Sequence, residues 1–305
     1  MLNREGPLLL FVELHSRSMH FAWLCNSSRK IYHNSWYCNP KLGVFVILNT
    51  SGDVLSKNLQ MFQVTIAAPF FKAVISALKE LTDIVTIKVD ESGMEVDTLD
   101  DTSVCFLHMR IVREELIHIE VDAASYVTVC VGDIDKMLRS AKKEILLSKT
   151  ADDDLLTMEF KGDCGQSKYS IPQCVRDSQD LNIPSQEYGA SVSIYPTQLY
   201  KLCNELKVAG QDTEMIIDKQ SAVQFRTTGD KQGKAIIAMP EVATLKTPVD
   251  FRVKFKLTYL QKMCKLYKIC EQTDIHLSED PSHPFQVVFT SEKGSRFKYI
   301  LATMT

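Results

Sequence analysis

The sequence predicts an α+β protein of two similar halves, each built from two units of one strand, one helix and three strands. Three observations lead there. Amphipathic helical stretches recur four times at roughly sixty-residue intervals. Short runs of alternating polar and apolar residues, which read as strands, follow each of them. A polar segment at Cys174–Gly189 then separates the first pair of units from the second. With 305 residues and a hydrophobic fraction of 45%, the chain can bury a core in each half without disulfide or metal support.

Residues 1–60 stand apart. They hold both tryptophans (Trp23 and Trp36), three histidines and two cysteines, but no convincing period and no motif. The segment is expected to be poorly ordered. It is either an appended accessory piece or translated sequence upstream of a natural start at Met61, and the second reading is preferred. From Met61 the pattern turns regular. Phe70, Phe71, Val74, Ile75, Leu78 and Leu81 form the apolar stripe of a helix over Pro69–Asp83, followed by strands at Val85–Val89, Met94–Thr98 and Val104–Arg110. A turn at Glu91-Ser92-Gly93 joins the first two of these strands. Ile134, Met137, Leu138 and Ala141 mark a second helix over Gly132–Glu144, with strands at Ile145–Ser148 and Leu155–Phe160 behind it. A third helix, Tyr195–Gly210, buries Leu199, Leu202, Cys203 and Leu206 and precedes strands at Met215–Asp218, Ala222–Thr227 and Ala235–Met239. The fourth, Lys256–Gln272, buries Leu260, Met263, Cys264 and Tyr267 and leads to strands at Asp274–Leu277, Phe285–Thr290 and Arg296–Leu301.

The formal net charge is −3, yet every one of these helices carries cations opposite its apolar stripe. Lys72 and Lys79 do so in the first, and Lys136, Arg139 and Lys143 in the second. Lys201, more weakly joined by Lys207, does so in the third, and Lys262, Lys265 and Lys268 in the fourth. One such helix is an ordinary solvated face. Four of them in an acidic protein point to a polyanion bound through a single surface.

Other classes are disfavoured. The nine cysteines are odd in number, irregularly spaced and without a CxxC pair, so they read as buried thiols in a reducing compartment and not as zinc ligands. No apolar run approaches the ~20 residues of a membrane span, which suggests a soluble intracellular protein. The carboxylates of Asp100-Asp101 and Asp152-Asp153-Asp154 fall in turns, where Asp is favoured for backbone reasons. His108, His118, His276 and His283 show no paired spacing, and there is no GxxxxGK[ST] loop. No enzyme activity, cofactor or metal is expected.

The segment DLNIPSQEYGASVSIYPTQLYKLCNEL, from Asp180, resembles the interdomain connecting loop and following helix of the proliferating cell nuclear antigen (PCNA) family of eukaryotic DNA sliding clamps. MFQVTI at Met61, ESGMEVDTLDDTSV at Glu91–Val104 and FKYILA at Phe297–Ala302 resemble other family blocks, in the family's order. The resemblance covers residues 61–305 and implies the clamp fold: domain 1 over 61–174, the connecting loop over 175–188 and domain 2 over 189–305. Helices would line a homotrimeric ring with sheets outside. It further implies a processivity factor that binds double-stranded DNA without sequence specificity, is loaded by an ATP-dependent clamp loader, serves DNA polymerase and repair clients, and is nuclear.

Carried over residue by residue, Lys72, Lys79, Lys136, Arg139, Lys201 and Lys265 keep a DNA-facing cation. Ala73, Asn204 and Thr258 do not, and Lys143, Lys262 and Lys268 are candidates to compensate. The client pocket, which in the family takes a short helix and aromatic plug, maps to Leu99, Val104, Phe106, Leu181, Ile183, Pro284 and Ala302. The subunit interface maps to strands holding Lys168, Tyr169 and Ile171 and, on the next subunit, Ala235, Ile236 and Ile237. Departures are Ser103 for the family's His, Leu99 for Met, Thr303 for Pro, and the lack of an acidic tail after Thr305. Gln220 stands where the family has a regulatory lysine, next to Lys219. These departures leave open an alternative, a subunit of a checkpoint-type heterotrimer or a divergent clamp-fold interaction protein. The intact connecting loop favours the self-trimer.

Overall fold

A computed structural model describes residues 61–151, 154–175, 186–218, 223–229, 234–239 and 250–304 in full, with the backbone of several further strands. The chain forms two compact units, Met1–Leu59 with Thr150–Asp152, and the remainder from Gln60 onward. In the first, β1 (Leu9–His15), β2 (Ser18–Leu24), β3 (Ile31–Asn39), β4 (Val44–Leu48) and β5 (Val54–Leu55) pair in chain order as an antiparallel meander. Pairing of this kind between sequence neighbours needs no long-range repeat.

The second unit opens with β6 (Gln60–Ala67), α1 (Ala68–Lys79), β7 (Ile84–Asp90), β8 (Gly93–Leu99), β9 (Cys105–Val112) and a short β10 (His118–Val121). β11 (Ser125–Cys130), α2 (Val131–Leu138), β12 (Glu144–Thr150), β13 (Leu155–Gly162) and β14 (Gly165–Pro172) complete its first half. The second half holds β15 (Ala190–Ile194), α3 (Pro196–Leu206), β16 (Asp212–Ile217), β17 (Val223–Thr228), β18 (Lys234–Met239), β19 (Ala243–Thr244), β20 (Phe251–Lys256), α4 (Leu257–Met263), β21 (Gln272–Leu277), β22 (Phe285–Thr290) and β23 (Arg296–Leu301). The repeating unit is present four times, with β10 and β19 in addition.

Two helices are shorter than their apolar stripes suggest. α2 stops at Leu138, and α4 gives way after Met263 to a 3-10 turn over Cys264–Lys268. At the end of α2 the Leu138 carbonyl accepts the Ala141 N–H at 3.0 Å, an i to i+3 bond that tightens the chain out of the α-helical path, and the 3-10 turn after α4 ends on another, Ile269 N–H to Leu266 O at 3.0 Å. Lys143 therefore lies in the loop after α2 and Lys265 and Lys268 on the 3-10 turn.

None of the helices has a side-chain N-cap. Three of them borrow backbone from a neighbouring element instead. Ala68 N–H donates to Lys143 O at 2.8 Å and Val131 N–H to Asp83 O at 2.9 Å, so α1 and α2 cap each other through the loops that follow them. In the second half Leu257 N–H donates to Gln211 O at 2.8 Å, while α3 starts at Pro196, which has no N–H to satisfy. Lys72 closes the first pair from the other end, its Nζ donating to Arg139 O at 3.1 Å and Ala141 O at 2.5 Å. The remaining stability comes from burial. Phe71, Val74, Ile75 and Leu78 of α1 are each at most 1% exposed, and side chains of this kind contribute ~1.5–3 kcal/mol apiece.

Three sheets back the helices. One has the order β10-β6-β12-β13-β14, another β18-β17-β16-β20, and the largest runs β11-β7-β8-β9-β23-β22-β21-β15-β19. The last crosses from the first half to the second where β9 pairs antiparallel with β23, from Arg110 opposite Arg296 to Cys105 opposite Leu301. Alternation fixes its faces: Cys105, Leu107, Met109, Phe297, Tyr299 and Leu301 point into the core, with Phe106, His108, Lys298 and Ile300 on the outer face. Gly93 is required at the β7–β8 turn, since its φ is +135° and a Cβ would lie 2.0 Å from Ile111 O.

One buried carboxylate organises the loop between β8 and β9. Asp100 is 5% exposed, and its Oδ1 accepts the N–H groups of Val104 at 2.7 Å and Cys105 at 2.6 Å, while Oδ2 accepts the Thr102 hydroxyl at 2.5 Å. Burial alone would push its pKa up, but the hydrogen bonds from Thr102, Cys105, Val104 and Tyr259 outweigh it and hold the carboxyl below its ordinary value. A depressed carboxylate pKa stabilises the fold fully above the unfolded value of 3.8, and the contribution is lost as pH falls through the lower folded value. Asp100→Asn should cost ~1–3 kcal/mol at pH 7 in urea titrations. The gap to wild type should narrow as pH drops below 3.8; a gap independent of pH would refute the charged role.

Candidate nucleic-acid interface and outer-face pocket

The helices lie in a row. α2 packs beside α1, α1 beside the 3-10 turn that ends α4, and that turn and α4 beside α3. Their apolar stripes meet the sheets, which leaves the cations outward. Lys79, Lys136, Arg139, Lys143, Lys201, Lys265 and Lys268 are exposed; Lys72 and Lys262 are half-buried. Local acids hold several of them. Lys79 pairs with Asp135 at 2.7 Å, Lys136 with Asp133 at 3.0 Å, and Lys265 with Glu80 at 3.4 Å across the boundary between the halves. Among the described residues, Arg139, Lys143 and Lys201 make no ion pair. Surface pairs of this kind are worth at most ~1 kcal/mol and exchange readily with other partners.

Aromatic rings support part of this face. Lys262 Nζ lies 5.2 Å from the centroid of Tyr259 and Lys268 Nζ 5.5 Å from that of Tyr267, which itself stacks on Tyr200 of α3 at 4.3 Å. A cavity of about 360 Å³ opens between α3 and α4, lined by Glu80, Tyr200, Asn204, Lys207, Thr258, Lys262 and Lys265. Asn204 and Thr258, two of the positions without a cation, thus face a cleft flanked by three lysines. Lys207 belongs to this group more firmly than its weak place in the helical period suggested, because it sits in the turn after α3. Lys72 is committed to the carbonyls at the end of α2, a structural duty that periodicity could not reveal.

The opposite face of the nine-stranded sheet brings together most of the second set of predicted residues. Leu99 lies opposite Phe106, and Phe106 opposite Ile300, so three apolar side chains stand abreast on neighbouring strands ~5 Å apart. Phe106 is 8% exposed, Leu99, Val104 and Pro284 are half-buried, and Ala302 is exposed. Ala302 N–H donates to Val104 O at 2.9 Å, and the Thr303 hydroxyl donates to Ser282 O at 3.1 Å, tying the chain's end to the loop that carries Pro284. Leu181 and Ile183 lie outside the described residues, as do Lys219 and Gln220. Tyr188, near the end of the connecting segment, packs on His276 at 5.6 Å, and burial lowers the His276 pKa. Ile300 was missed by sequence reasoning; its signal is an apolar residue in an outward position of the alternating FKYIL strand.

The interface candidates fall on free edges. β14 and β18 each pair on one side only, β14 beside α2 and β18 beside α3, at opposite ends of the helix row. Lys168 is exposed and pairs with Glu159 at 2.8 Å, while Tyr169 stacks on Phe160 at 5.7 Å. Ile236 is 65% exposed, and Ala235 and Ile237 are half-buried. Ile171, only 1% exposed, already belongs to the core of its own sheet, so any contact it makes across the edge is through backbone.

Several of the groups that could carry chemistry make structural contacts. Asp100 holds its loop, and Asp152 and Asp153 lie outside the described residues. The sheet brings Glu95, Asp97 and His108 within 4.8 Å of one another, a cluster that no sequence spacing announces. His108 Nδ1 is 2.7 Å from Asp97, and Glu95 is paired with Lys88 at 3.1 Å, so these side chains form a cross-strand ion network. Burial pushes the Cys105 thiol up to about 12, which leaves it protonated and unreactive at neutral pH. No described helix is long and apolar enough to cross a membrane.

Sequence profiles for the proliferating cell nuclear antigen N-terminal and C-terminal domains match residues 61–172 and 182–304. The chain is 23% identical over 248 residues to proliferating cell nuclear antigen of Chaetomium thermophilum, covering 77% of this chain and 94% of that protein. Among solved structures it is similar to proliferating cellular nuclear antigen from Entamoeba histolytica, with a TM-score of 0.74 and 16% identity over 81% of this chain and 100% of that one. Two free sheet edges, a row of cationic helices and an apolar outer face therefore sit on the fold of a DNA sliding clamp. The chain belongs to the proliferating cell nuclear antigen family, the non-enzymatic, ring-forming clamps that give DNA polymerases their processivity and dock replication and repair proteins.

Proposed function

We propose that three copies of this chain close a ring around duplex DNA, β14 of each copy pairing with β18 of the next. The observation that carries this reading is the position of the unpaired β14 and β18 edges at opposite ends of the helix row. An exposed edge strand invites pairing, and a head-to-tail contact that closes after three copies leaves neither of these two edges open. Lys168, Tyr169 and Ile171 would meet Ala235, Ile236 and Ile237 there, covering the exposed Ile236 side chain.

With the ring closed, the helix row would line its hole. Lys79, Lys136, Arg139, Lys143, Lys201, Lys262, Lys265 and Lys268 would then attract phosphates, and Lys72 would add its charge from its place on the carbonyls at the end of α2. Such contacts read no bases and so allow sliding, while topology supplies retention. A separate ATP-dependent loader would open the ring, and the site of action would be the nucleus. Clients would place a short helix and aromatic plug on the outer-face patch of Leu99, Val104, Phe106, Ile300, Pro284 and Ala302, with Leu181 and Ile183 of the connecting loop as its further wall.

Topological retention is tested by loading the protein with a clamp loader and ATP onto nicked circular DNA and washing in high salt. The ring should stay on the circle and leave after the circle is cut; equal loss from both would rule out encirclement. A double Lys136→Glu, Arg139→Glu variant should weaken equilibrium DNA binding and reduce the slope of log K against log salt by about 2, one unit for each phosphate that is no longer neutralised. An unchanged slope would remove both residues from the DNA-facing set.

A further inference from the structure

We propose that Tyr259 is a positioning residue for the client pocket, fixing its rim to the DNA-facing helix layer through its hydroxyl. The proposal rests on reading the outer-face patch as that pocket. The rim is the Asp100–Val104 loop, whose last residue holds Ala302 and borders Leu99 and Phe106. Tyr259 comes from the other half of the molecule, in the first turn of α4.

Its hydroxyl lies 2.7 Å from Thr102 Oγ1 and 3.1 Å from Asp100 Oδ2, and the Thr102 hydroxyl is 2.5 Å from the same carboxylate oxygen. Two hydroxyl protons are shared over three short contacts around one anion. These are the side-chain ties from α4 to the loop, and they reach its least comfortable part. Ser103, next to Thr102, holds a φ of +59°, a left-handed conformation that non-glycine residues adopt only when their surroundings compensate. The carboxylate in turn fixes the Val104 and Cys105 amides, so the chain of hydrogen bonds runs from Tyr259 through Asp100 to the pocket's edge.

Packing does not explain the hydroxyl. A phenylalanine would fill the same space and still present its ring to Lys262 Nζ, 5.2 Å from the centroid. What tyrosine adds is a charge-assisted hydrogen bond to a carboxylate that already serves the rim. One side chain thus touches both working surfaces, its ring under a cation of the DNA-facing layer and its oxygen on the loop that shapes the client site.

The test compares the full-length wild type with Tyr259→Phe and, without altering α4, Thr102→Val. Two readouts are taken, amide hydrogen exchange and titration with a synthetic peptide whose short helix ends in two aromatic residues. Both variants should speed exchange of the Val104 and Cys105 amides about three- to tenfold, leave β21 amides unchanged, and weaken the peptide by a similar factor. Unchanged exchange at Val104 and Cys105 would overturn the tie, whatever the peptide does. Faster exchange with undiminished peptide affinity would overturn the positioning role while leaving the pocket intact. A wild type that binds no such peptide would defeat the pocket reading itself, and the positioning role with it, even if exchange shows that the tie exists.

Discussion

The ladder between β9 and β23 is the joint on which the rest of the molecule depends. Six residue pairs, from Arg110 with Arg296 to Cys105 with Leu301, merge the sheets of the two halves into one. A one-residue slip would turn Phe297, Tyr299 and Leu301 out of a core in which each is 1% exposed, so register is set by burial as much as by backbone bonds. Once this joint is made, α1 and the end of α4 must lie side by side, which brings Glu80 to Lys265. The same joint sets Phe106 beside Ile300 on the outer face and carries the Asp100 loop to Tyr259. β14, beside α2, and β18, beside α3, keep one side unpaired at the two ends of the helix row.

Charge on the helix face is arranged for weak and replaceable contact. Lys79, Lys136 and Lys265 are each held by an acid of the same layer, and Lys262 and Lys268 rest over tyrosine rings. Partners of this strength keep long side chains from collapsing onto neighbours yet yield to a phosphate at a cost of at most ~1 kcal/mol each. A layer built from strong, buried ion pairs would hold DNA at one place or ignore it. Asn204 and Thr258 are uncharged, and positive charge in their neighbourhood gathers at the cleft flanked by Lys207, Lys262 and Lys265.

Much of this was legible in the sequence, and the failures have physical causes. Helix existence and the buried stripes followed from a 3.6-residue period, and the inward faces of β7, β8, β22 and β23 from alternation, because both are local properties that burial enforces. Helix ends were not legible. α2 stops short where the Lys72 ammonium, from a distant part of the chain, meets the carbonyls of Arg139 and Ala141, and α4 gives way to a 3-10 turn after Met263. The same holds for sites. Lys79, Lys136 and Lys265 could be placed on an outward face by period alone, but the acids that meet Lys79 and Lys265 come from other elements. Ile300 meets Leu99 and Phe106 only through the joint between the halves; family resemblance named those two, and alternation marks Ile300 as outward without saying what it meets. Ile171 could be placed on an edge strand by position, but not that its side chain packs in its own core.

The central claim is that β14 and β18 are complementary edges of one closed ring. The most direct test is the solution mass of the chain by light scattering across a concentration series. Ring closure predicts a mass three times the 34.6 kDa of one chain, unchanged on dilution. In an Ile236→Glu variant, with a charge on the exposed side chain of β18, that mass should fall toward one chain. A wild type that is monomeric throughout the series, or a species that grows without limit as concentration rises, would contradict the account.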